Sequence, residues 1–309
     1  MISYLKISRL DHSLKHIFIV PGIFIAVLYT SIDNLNYFDI CLGFICAILS
    51  ASSNYTINEY LDSKFDKFHP LKKKRYLTQN KIKLKNIYFY YFFLTSISIA
   101  ISIQINFYFF LANLSFIASG ILYNVKPIRL KDKVFLDVIN ESINNPIRLF
   151  LGWFMVIDNL SILPPISFLL FYWFSGAFLM SAKRLSEVIF FKKYSNLKNL
   201  INYRKNYTFY NEKNLTLICI IYLMLVSFNS AIFLLKYRAE LILLYPLIII
   251  LFSTYFYLSI SLPTKAIFPE KIYLNKNIIF LTLISFALFF VLFYYDIPMV
   301  KYLIQKTIF

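Results

Sequence analysis

The chain of 309 residues is 59% hydrophobic and 20% aromatic, and it contains only five glycines. Its mean hydropathy of +0.64 excludes an ordinary soluble globular protein and predicts a polytopic membrane protein. A formal net charge of +17 would indicate nucleic-acid binding in a soluble protein, but here the basic residues cluster between apolar segments, so we expect no nucleic-acid partner.

Nine apolar segments, each near the ~20 residues needed to cross a bilayer, follow one another along the chain. They cover residues 16–32, 39–61, 86–104, 107–123, 134–157, 164–182, 215–235, 240–261 and 277–296. No polar stretch between them is long enough to separate two soluble domains. The sequence therefore predicts an all-α fold with one domain over residues 1–309, a bundle of about nine transmembrane helices that encloses a polar cavity.

Most of the 32 Lys and Arg residues precede the first span or follow an even-numbered span. By the positive-inside tendency, these segments face the cytoplasm. We expect an integral protein of a bacterial inner membrane, with a cytoplasmic N-terminus and the C-terminus on the opposite face. Its basic loops are also suited to contact anionic membrane lipids, and a homo-oligomer is compatible with the sequence.

The second span ends in a stretch with an asparagine and three carboxylates. If the helix continues, Asn58, Asp62 and Asp66 fall at positions i, i+4 and i+8, and Glu59 lies beside them. Mg²⁺ prefers oxygen ligands and is commonly held by one or two carboxylates together with substrate phosphates. Solvated surface ion pairs are the alternative. Carboxylates at the end of a membrane helix favour a functional use, so we predict a magnesium site that binds a diphosphate.

This stretch resembles the first aspartate-rich motif of the UbiA superfamily of intramembrane prenyltransferases, which a subset of members extends with His-Pro, Lys and Arg. The corresponding residues here are Asn58, Glu59, Asp62, Asp66, His69, Pro70, Lys72 and Arg75. Glu59 replaces the usual second aspartate, and Asn80 replaces the glycine that normally ends the extension. The resemblance implies nine helices with cytoplasmic catalytic loops, Asp62 and Asp66 as catalytic metal ligands, and Lys72 and Arg75 on substrate phosphate.

The fourth span ends in a basic loop from Tyr123 to Lys131 that is similar to the Tyr, Pro, Arg, Lys loop of many superfamily members. A basic turn broken by Pro127 explains the same residues equally well. On the first interpretation, Tyr123 and Lys126 line the substrate cavity.

The fifth span is interrupted by polar residues at spacings of three and four. They are Asp137, Asn140, Glu141, Asn144, Asn145 and Arg148. Such a stripe covers about three turns of one helix face and must turn away from lipid. Hydrogen bonds between helices are one explanation. We favour a cavity wall, in which Asp137, Asn140, Glu141 and Asn144 contact the second substrate.

The sixth span leads into Lys183, Arg184 and Glu187, which alone would be an ordinary helix ion pair. The second aspartate-rich motif of the superfamily lies in this loop. The Lys-Arg, two residues, Glu pattern resembles the branch represented by decaprenyl-phosphate phosphoribosyltransferase, and the resemblance covers most of residues 9–210. It implies that Lys183, Arg184 and Glu187 contact the substrate.

These observations predict a Mg²⁺-dependent transferase that acts on a polyprenyl lipid and a diphosphate donor. Our first hypothesis is phosphoribosyl transfer from phosphoribosyl diphosphate to polyprenyl phosphate, because that acceptor is already anionic and needs no strong base. The alternative is prenyl transfer from a prenyl diphosphate to 4-hydroxybenzoate or a similar ring, for which a second acidic motif is expected. A channel or transporter would leave the motif from Asn58 to Arg75 unexplained.

Overall fold

The computed structural model describes residues 2–30, 35–80, 82–268 and 275–300, and within these ranges the only regular secondary structure is helical. The all-α prediction is confirmed. The α-helices are α1 (Ile2–Ile7), α2 (Val20–Thr30), α3 (Tyr37–Asp66), α4 (Tyr76–Gln79), α5 (Leu84–Ile105), α6 (Phe107–Asn124), α7 (Leu136–Phe154), α8 (Ile166–Tyr194), α9 (Leu197–Tyr203), α10 (Glu212–Tyr237), α11 (Tyr245–Ser261), α12 (Pro263–Ala266) and α13 (Lys276–Tyr294). Short 3₁₀ helices cover Leu10–Ile19, Lys72–Lys74, Leu130–Asp132, Lys205–Thr208 and Ala239–Leu244.

Helix is present at each of the nine predicted spans, although residues 31 and 32 of the first span lie outside the described residues. In the described part of the chain, seven helices are long and apolar enough to cross a membrane: α3, α5, α6, α8, α10, α11 with the preceding turn, and α13. The protein is therefore an integral membrane protein. The segment Lys15–Thr30 is a shorter apolar helix, and α7 is not among the seven, so the count of nine spans stays a prediction.

The chain forms two compact units, and the first comprises Met1–Pro164 and Phe191–Asn211. In this unit α3 packs against α5 and α6. Ser50 Oγ donates to Asn113 Oδ1 at 2.6 Å, and Asn113 Nδ2 donates to Ser98 Oγ at 2.9 Å. These hydrogen bonds join the three helices. They matter because lipid tails are as apolar as the helix side chains, so the hydrophobic effect does not drive one helix against another.

Two glycines allow α2 and α7 to approach each other closely. A Cβ at Gly22 would lie 2.1 Å from the Leu149 carbonyl oxygen, and one at Gly152 would lie 2.2 Å from the Ile19 carbonyl oxygen. Any larger residue would separate the two backbones. This contact fixes the C-terminal half of α7, whose other side packs against α6.

The second unit comprises Pro165–Phe190 and Glu212–Phe309, of which residues 269–274 and 301–309 are outside the described part. Its core includes a cluster of buried leucines from α10, the turn before α11, and α13: Leu234, Leu241, Leu244 and Leu292. The Ser186 hydroxyl in α8 donates to the Ser259 carbonyl in α11 at 2.8 Å. The prediction of a single domain over residues 1–309 stays a prediction.

Candidate active site

The turn that follows α3 is shaped by His69, whose side chain is fully buried. Its Nδ1 accepts the backbone N–H groups of Leu71 and Lys72 at 3.2 and 3.3 Å. Its ring stands edge-on to the rings of Phe191 and Tyr203. These contacts hold the basic run that follows α3 in a compact turn, so His69 organises the backbone that carries the cations.

Asp62, near the end of α3, contacts two buried cations. Its Oδ1 lies 2.5 Å from Lys131 Nζ and 3.1 Å from Arg129 Nη2. Asn124 accepts a second bond from each cation, through its amide oxygen for Lys131 at 2.8 Å and its carbonyl for Arg129 at 3.2 Å. Burial lowers the pKa of Lys131 to about 8, although the Asp62 carboxylate opposes the shift.

Asp66 lies one turn further along α3 and pairs with Arg75. The distance from Arg75 Nη1 to Asp66 Oδ2 is 2.8 Å. Burial disfavours the charged guanidinium, but Asp66, Tyr203 and Asp62 together outweigh this effect, and the pKa of Arg75 is raised. The second oxygen, Asp66 Oδ1, is buried and has no hydrogen-bond partner among the described residues. A buried carboxylate oxygen without a donor is suited to accept a cation or a ligand donor.

Five cations in this unit act electrostatically on the two carboxylates. Lys131, Arg204 and Arg129 act on Asp62, and Arg75 and Lys72 act on Asp66. Tyrosine hydroxyls hold two of the cations in place: Tyr203 accepts from Lys72 Nζ at 2.7 Å, and Tyr123 accepts from Arg204 Nη1 at 3.1 Å. Asp132 Oδ2 also pairs with Arg129 Nε at 2.8 Å, but the five cations still outnumber these three carboxylates, which favours binding of a polyanion such as a diphosphate.

The other two predicted metal ligands make protein contacts. Asn58 Nδ2 donates to Asn124 Oδ1 at 2.7 Å, and Glu59 Oε1 accepts the backbone N–H of Leu77 at 3.1 Å. Glu59 is buried at this position and fastens α4, which begins directly after Arg75, to α3. The metal-binding roles of Asn58 and Glu59 stay predictions.

The donor set can be compared with the needs of Mg²⁺. Among the described residues, no group of three His, Cys, Asp or Glu side chains is placed to hold a metal ion. Mg²⁺ commonly uses only one or two carboxylates and completes its shell with waters and substrate phosphates. Asp62 and the open oxygen of Asp66 fit that mode, in which metal and diphosphate bind together.

Of the two site residues predicted at the end of α6 and in the loop that follows, one is buried and the other is exposed. Tyr123 is buried, and its hydroxyl donates to Glu141 Oε2 at 3.0 Å in addition to accepting from Arg204. Lys126 is exposed on the loop. The buried cations of this loop are instead Arg129 and Lys131, which belong to the loop similar to the Tyr, Pro, Arg, Lys pattern but were not assigned to the site.

Replacing Lys131 with alanine is expected to weaken diphosphate binding strongly, because its ammonium group is buried against Asp62. Loss of one charge-assisted contact of this kind should reduce affinity by roughly tenfold or more. Lys133→Ala is the matched control, since Lys133 is exposed in the same short segment. Diphosphate titrations with Mg²⁺ on the two purified variants measure the difference, and equal affinities would remove Lys131 from the site.

The polar stripe of α7 is largely bonded to protein. Asp137 accepts from Asn206 Nδ2 at 2.8 Å and from the Tyr210 hydroxyl at 2.7 Å, so both of its oxygens have donors. Asn140 Nδ2 donates to the Ser119 carbonyl at 3.0 Å, and Asn144 Oδ1 accepts from the Ser119 hydroxyl at 2.6 Å. The stripe therefore joins α7 to α6 and to the segment after α9, and its contact with substrate stays a prediction.

The predicted residues Lys183, Arg184 and Glu187 belong to the second unit. Arg184 and Glu187 are fully buried in α8, with Arg184 Nη1 3.6 Å from Glu187 Oε2. Complete burial of an ion pair costs free energy unless further hydrogen bonds satisfy both charged groups. Their contact with substrate stays a prediction.

Sequence reasoning missed several residues of this site. They are Asn124, Arg129, Lys131, Tyr203, Arg204, Asn206 and Tyr210. Arg204, Asn206 and Tyr210 lie more than 60 residues along the chain from the residues that they contact, so no local spacing connects them with Asp62 or Asp137. For Arg129 and Lys131 a signal was available, because both lie in the loop that is similar to the Tyr, Pro, Arg, Lys loop.

Comparisons with known proteins show what the chain is similar to. Residues 18–266 match the profile of the UbiA prenyltransferase family. The comparison with curated proteins finds no match. Among solved structures, a UbiA homolog from Archaeoglobus fulgidus bound to GPP and Mg²⁺ is 21% identical, with a TM-score of 0.68 over 94% of this chain and 97% of that chain.

Two further structures share the fold. The Archaeoglobus fulgidus homolog bound to DMAPP and Mg²⁺ is 20% identical, with a TM-score of 0.67 over 83% of this chain and 86% of that one. A structure of digeranylgeranylglyceryl phosphate synthase is 18% identical, with a TM-score of 0.61 over 93% of this chain and 96% of that one.

Proposed function

The chain belongs to the UbiA prenyltransferase family, and from this membership we propose that it is a Mg²⁺-dependent membrane transferase whose donor diphosphate binds at Asp62 and Asp66. The observation that carries the proposal is the group of five cations around these two carboxylates. The solved structures of similar fold that hold GPP or DMAPP together with Mg²⁺ support it.

Asp62 and Asp66 would hold the metal, which when bound neutralises charge on the departing diphosphate. The chain's own cations would neutralise the remaining negative charge of the diphosphate. Lys131 and Arg129 already lie within bonding distance of Asp62, and Arg75 of Asp66, so diphosphate oxygens that enter beside the carboxylates meet fixed donors. Donors held in place before the reaction stabilise developing negative charge at little reorganisation cost.

For the reaction itself, we propose phosphoribosyl transfer from phosphoribosyl diphosphate to a polyprenyl phosphate. An anionic acceptor oxygen needs no strong general base, and His69 already uses its Nδ1 to bind backbone N–H groups. Sugar hydroxyls need partners, for which Glu141 and Asn144, both partly exposed, are better placed than the fully bonded Asp137. Contact of Lys183, Arg184 and Glu187 with substrate is proposed from their sequence pattern.

A prenyl diphosphate donor with an aromatic acceptor is the second candidate. It is favoured by the fold shared with homologs that hold GPP and DMAPP. The two reactions differ in products: the first gives a polyprenyl phosphoribose and the second a prenylated ring.

The deciding experiment incubates the purified protein with Mg²⁺ and labelled donor and acceptor pairs, followed by mass spectrometry of the lipid products. We expect a Mg²⁺-dependent polyprenyl phosphoribose product, and thermal protection by phosphoribosyl diphosphate. Prenylation of 4-hydroxybenzoate, with protection by prenyl diphosphates alone, would establish the second candidate instead. Absence of any diphosphate binding would refute the site.

We also propose that the N-terminus and the basic loops face the cytoplasm. The C-terminus is predicted to lie on the opposite face, but its residues 301–309 are outside the described residues. Cysteines placed at the exposed positions Lys73 and Asp158, in a variant without native cysteines, should react with an impermeant reagent from opposite faces. Labelling of both from the same face would show that a span was miscounted.

A further inference from the structure

Arg148, in the C-terminal half of α7, carries a charge with little protein compensation. Its Nη1 donates to Asn145 Oδ1 at the long distance of 3.5 Å, and its guanidinium lies 5.2 Å from the centre of the Phe116 ring. Its Nε is buried without a hydrogen-bond partner. No carboxylate whose side chain the structure describes lies within ion-pair distance of it.

His16 is a second residue in this region with a buried nitrogen that lacks a described hydrogen-bond partner. His16 is buried in the 3₁₀ helix Leu10–Ile19, which packs on α7, and it interacts electrostatically with Arg148. Its Nδ1 has no hydrogen-bond partner among the described residues. Arg148 and His16 thus interact across two packed elements, and no carboxylate whose side chain is described forms an ion pair with either of them.

Arg148 lies on the same face of α7 as Glu141, which is connected to the candidate active site. Residues 141, 144, 145 and 148 share one face of α7, and seven residues of helix separate Glu141 from Arg148 by about 10 Å. At the near end of this stripe, Glu141 accepts from Tyr123, which in turn contacts Arg204 of the cation group. Contacts through Arg204 and Tyr123 thus connect Asp62 with Glu141, and Arg148 lies two helical turns further along α7 in the same compact unit.

We propose that Arg148, with His16 and Asn145, binds an anionic group at the end of a substrate remote from its reacting end. The reacting end is placed at Asp62 and Asp66 by the proposed function, on which this inference rests. An arginine fork binds phosphate or carboxylate through paired N–H groups, and such a ligand would satisfy the open Nε. Charged residues inside membrane proteins typically mark substrate pathways when they lack a protein partner.

Two candidate substrates have an anionic group of this kind. One is the terminal phosphate of a phosphoribosyl donor, and the other is the carboxylate of an aromatic acid acceptor. Ribose 5-phosphate and 4-hydroxybenzoate are probes for the two sources, and inorganic diphosphate with Mg²⁺ probes the Asp62 and Asp66 site independently.

The test titrates all three probes against purified wild type, Arg148→Met and Arg148→Lys, with Lys133→Ala as an exposed-cation control. We expect Arg148→Met to weaken one of the two remote-anion probes by roughly tenfold or more, without changing diphosphate affinity. Arg148→Lys keeps the charge but not the fork, and should give an intermediate loss. The probe that responds identifies the source.

Stability provides a second readout. An uncompensated charge does not stabilise the fold, so the ligand-free melting temperature of Arg148→Met should equal or exceed that of wild type. A clear fall in that temperature, unchanged affinity for both remote-anion probes, or failure of both probes to bind wild type would each overturn the proposal. Failure of diphosphate alone would overturn the proposed function, while a response to ribose 5-phosphate would keep Arg148 as an anion site.

Discussion

Asp62→Ala is expected to abolish turnover and also to destabilise the protein, because Asp62 compensates two buried cations. Lys131 is nearly inaccessible, and Arg129 is almost as deeply buried. Removal of one partner from a buried ion pair costs roughly 3–5 kcal/mol in the free energy of unfolding.

Asp66→Ala should abolish turnover at a smaller cost in stability. Its partner Arg75 keeps 18% of its side chain exposed, so water can take over part of the lost interaction. Thermal unfolding in detergent, and activity with excess Mg²⁺, measure both effects. The order of stability should be wild type, then Asp66→Ala, then Asp62→Ala.

A double variant separates structure from chemistry. Asp62→Ala combined with Lys131→Met removes the carboxylate and the most buried cation together, so it should recover much of the stability lost in the single variant. It should not recover activity. Activity in the double variant, or an Asp62→Ala protein as stable as wild type, would contradict the assignment of Asp62 as both metal ligand and charge partner.

The sequence predicted those features of the site that depend on local spacing. Asn58, Asp62 and Asp66 lie on a helix that continues to Asp66, so a count of i, i+4 and i+8 places them correctly. The same periodicity found the polar face of α7. Helix positions were also predictable, because apolar runs of about 20 residues leave few alternatives in a membrane protein.

The partners of these residues could not be predicted, because they depend on loop conformation and on long separations along the chain. Arg129 has a φ of 34°, in the left-handed region, so a helical count from Tyr123 fails before it reaches Lys131. The sequence analysis assigned Lys126, which is exposed, to the cavity and gave Lys131 no role. The donors to Asp137 lie 69 and 73 residues away, and no periodic pattern connects them.

Asp137→Ala is expected to loosen the segment at residues 204–210 and thereby to reduce activity. The fully buried carboxylate accepts from Asn206 and from Tyr210, and Tyr210 in turn accepts the backbone N–H of Phe135 at 2.8 Å. Loss of two hydrogen bonds to a charged group, with their donors left buried, should cost roughly 2–5 kcal/mol in the free energy of unfolding. Tyr210→Phe also removes the acceptor for the Phe135 N–H, but it leaves the bond from Asn206 to Asp137 in place and should cost less.

The effect on activity follows from what this segment holds in place. Asn206 Nδ2 also donates to the carbonyl oxygen of Lys131 at 3.3 Å, and Arg204 lies at the start of the same segment. If Asp137 acts by position, Asp137→Ala should raise backbone hydrogen exchange at residues 204–210, and Tyr210→Phe should reproduce the change in weaker form. A raised KM with unchanged exchange at residues 204–210 would show instead that Asp137 contacts the substrate directly, as the stripe on α7 first indicated.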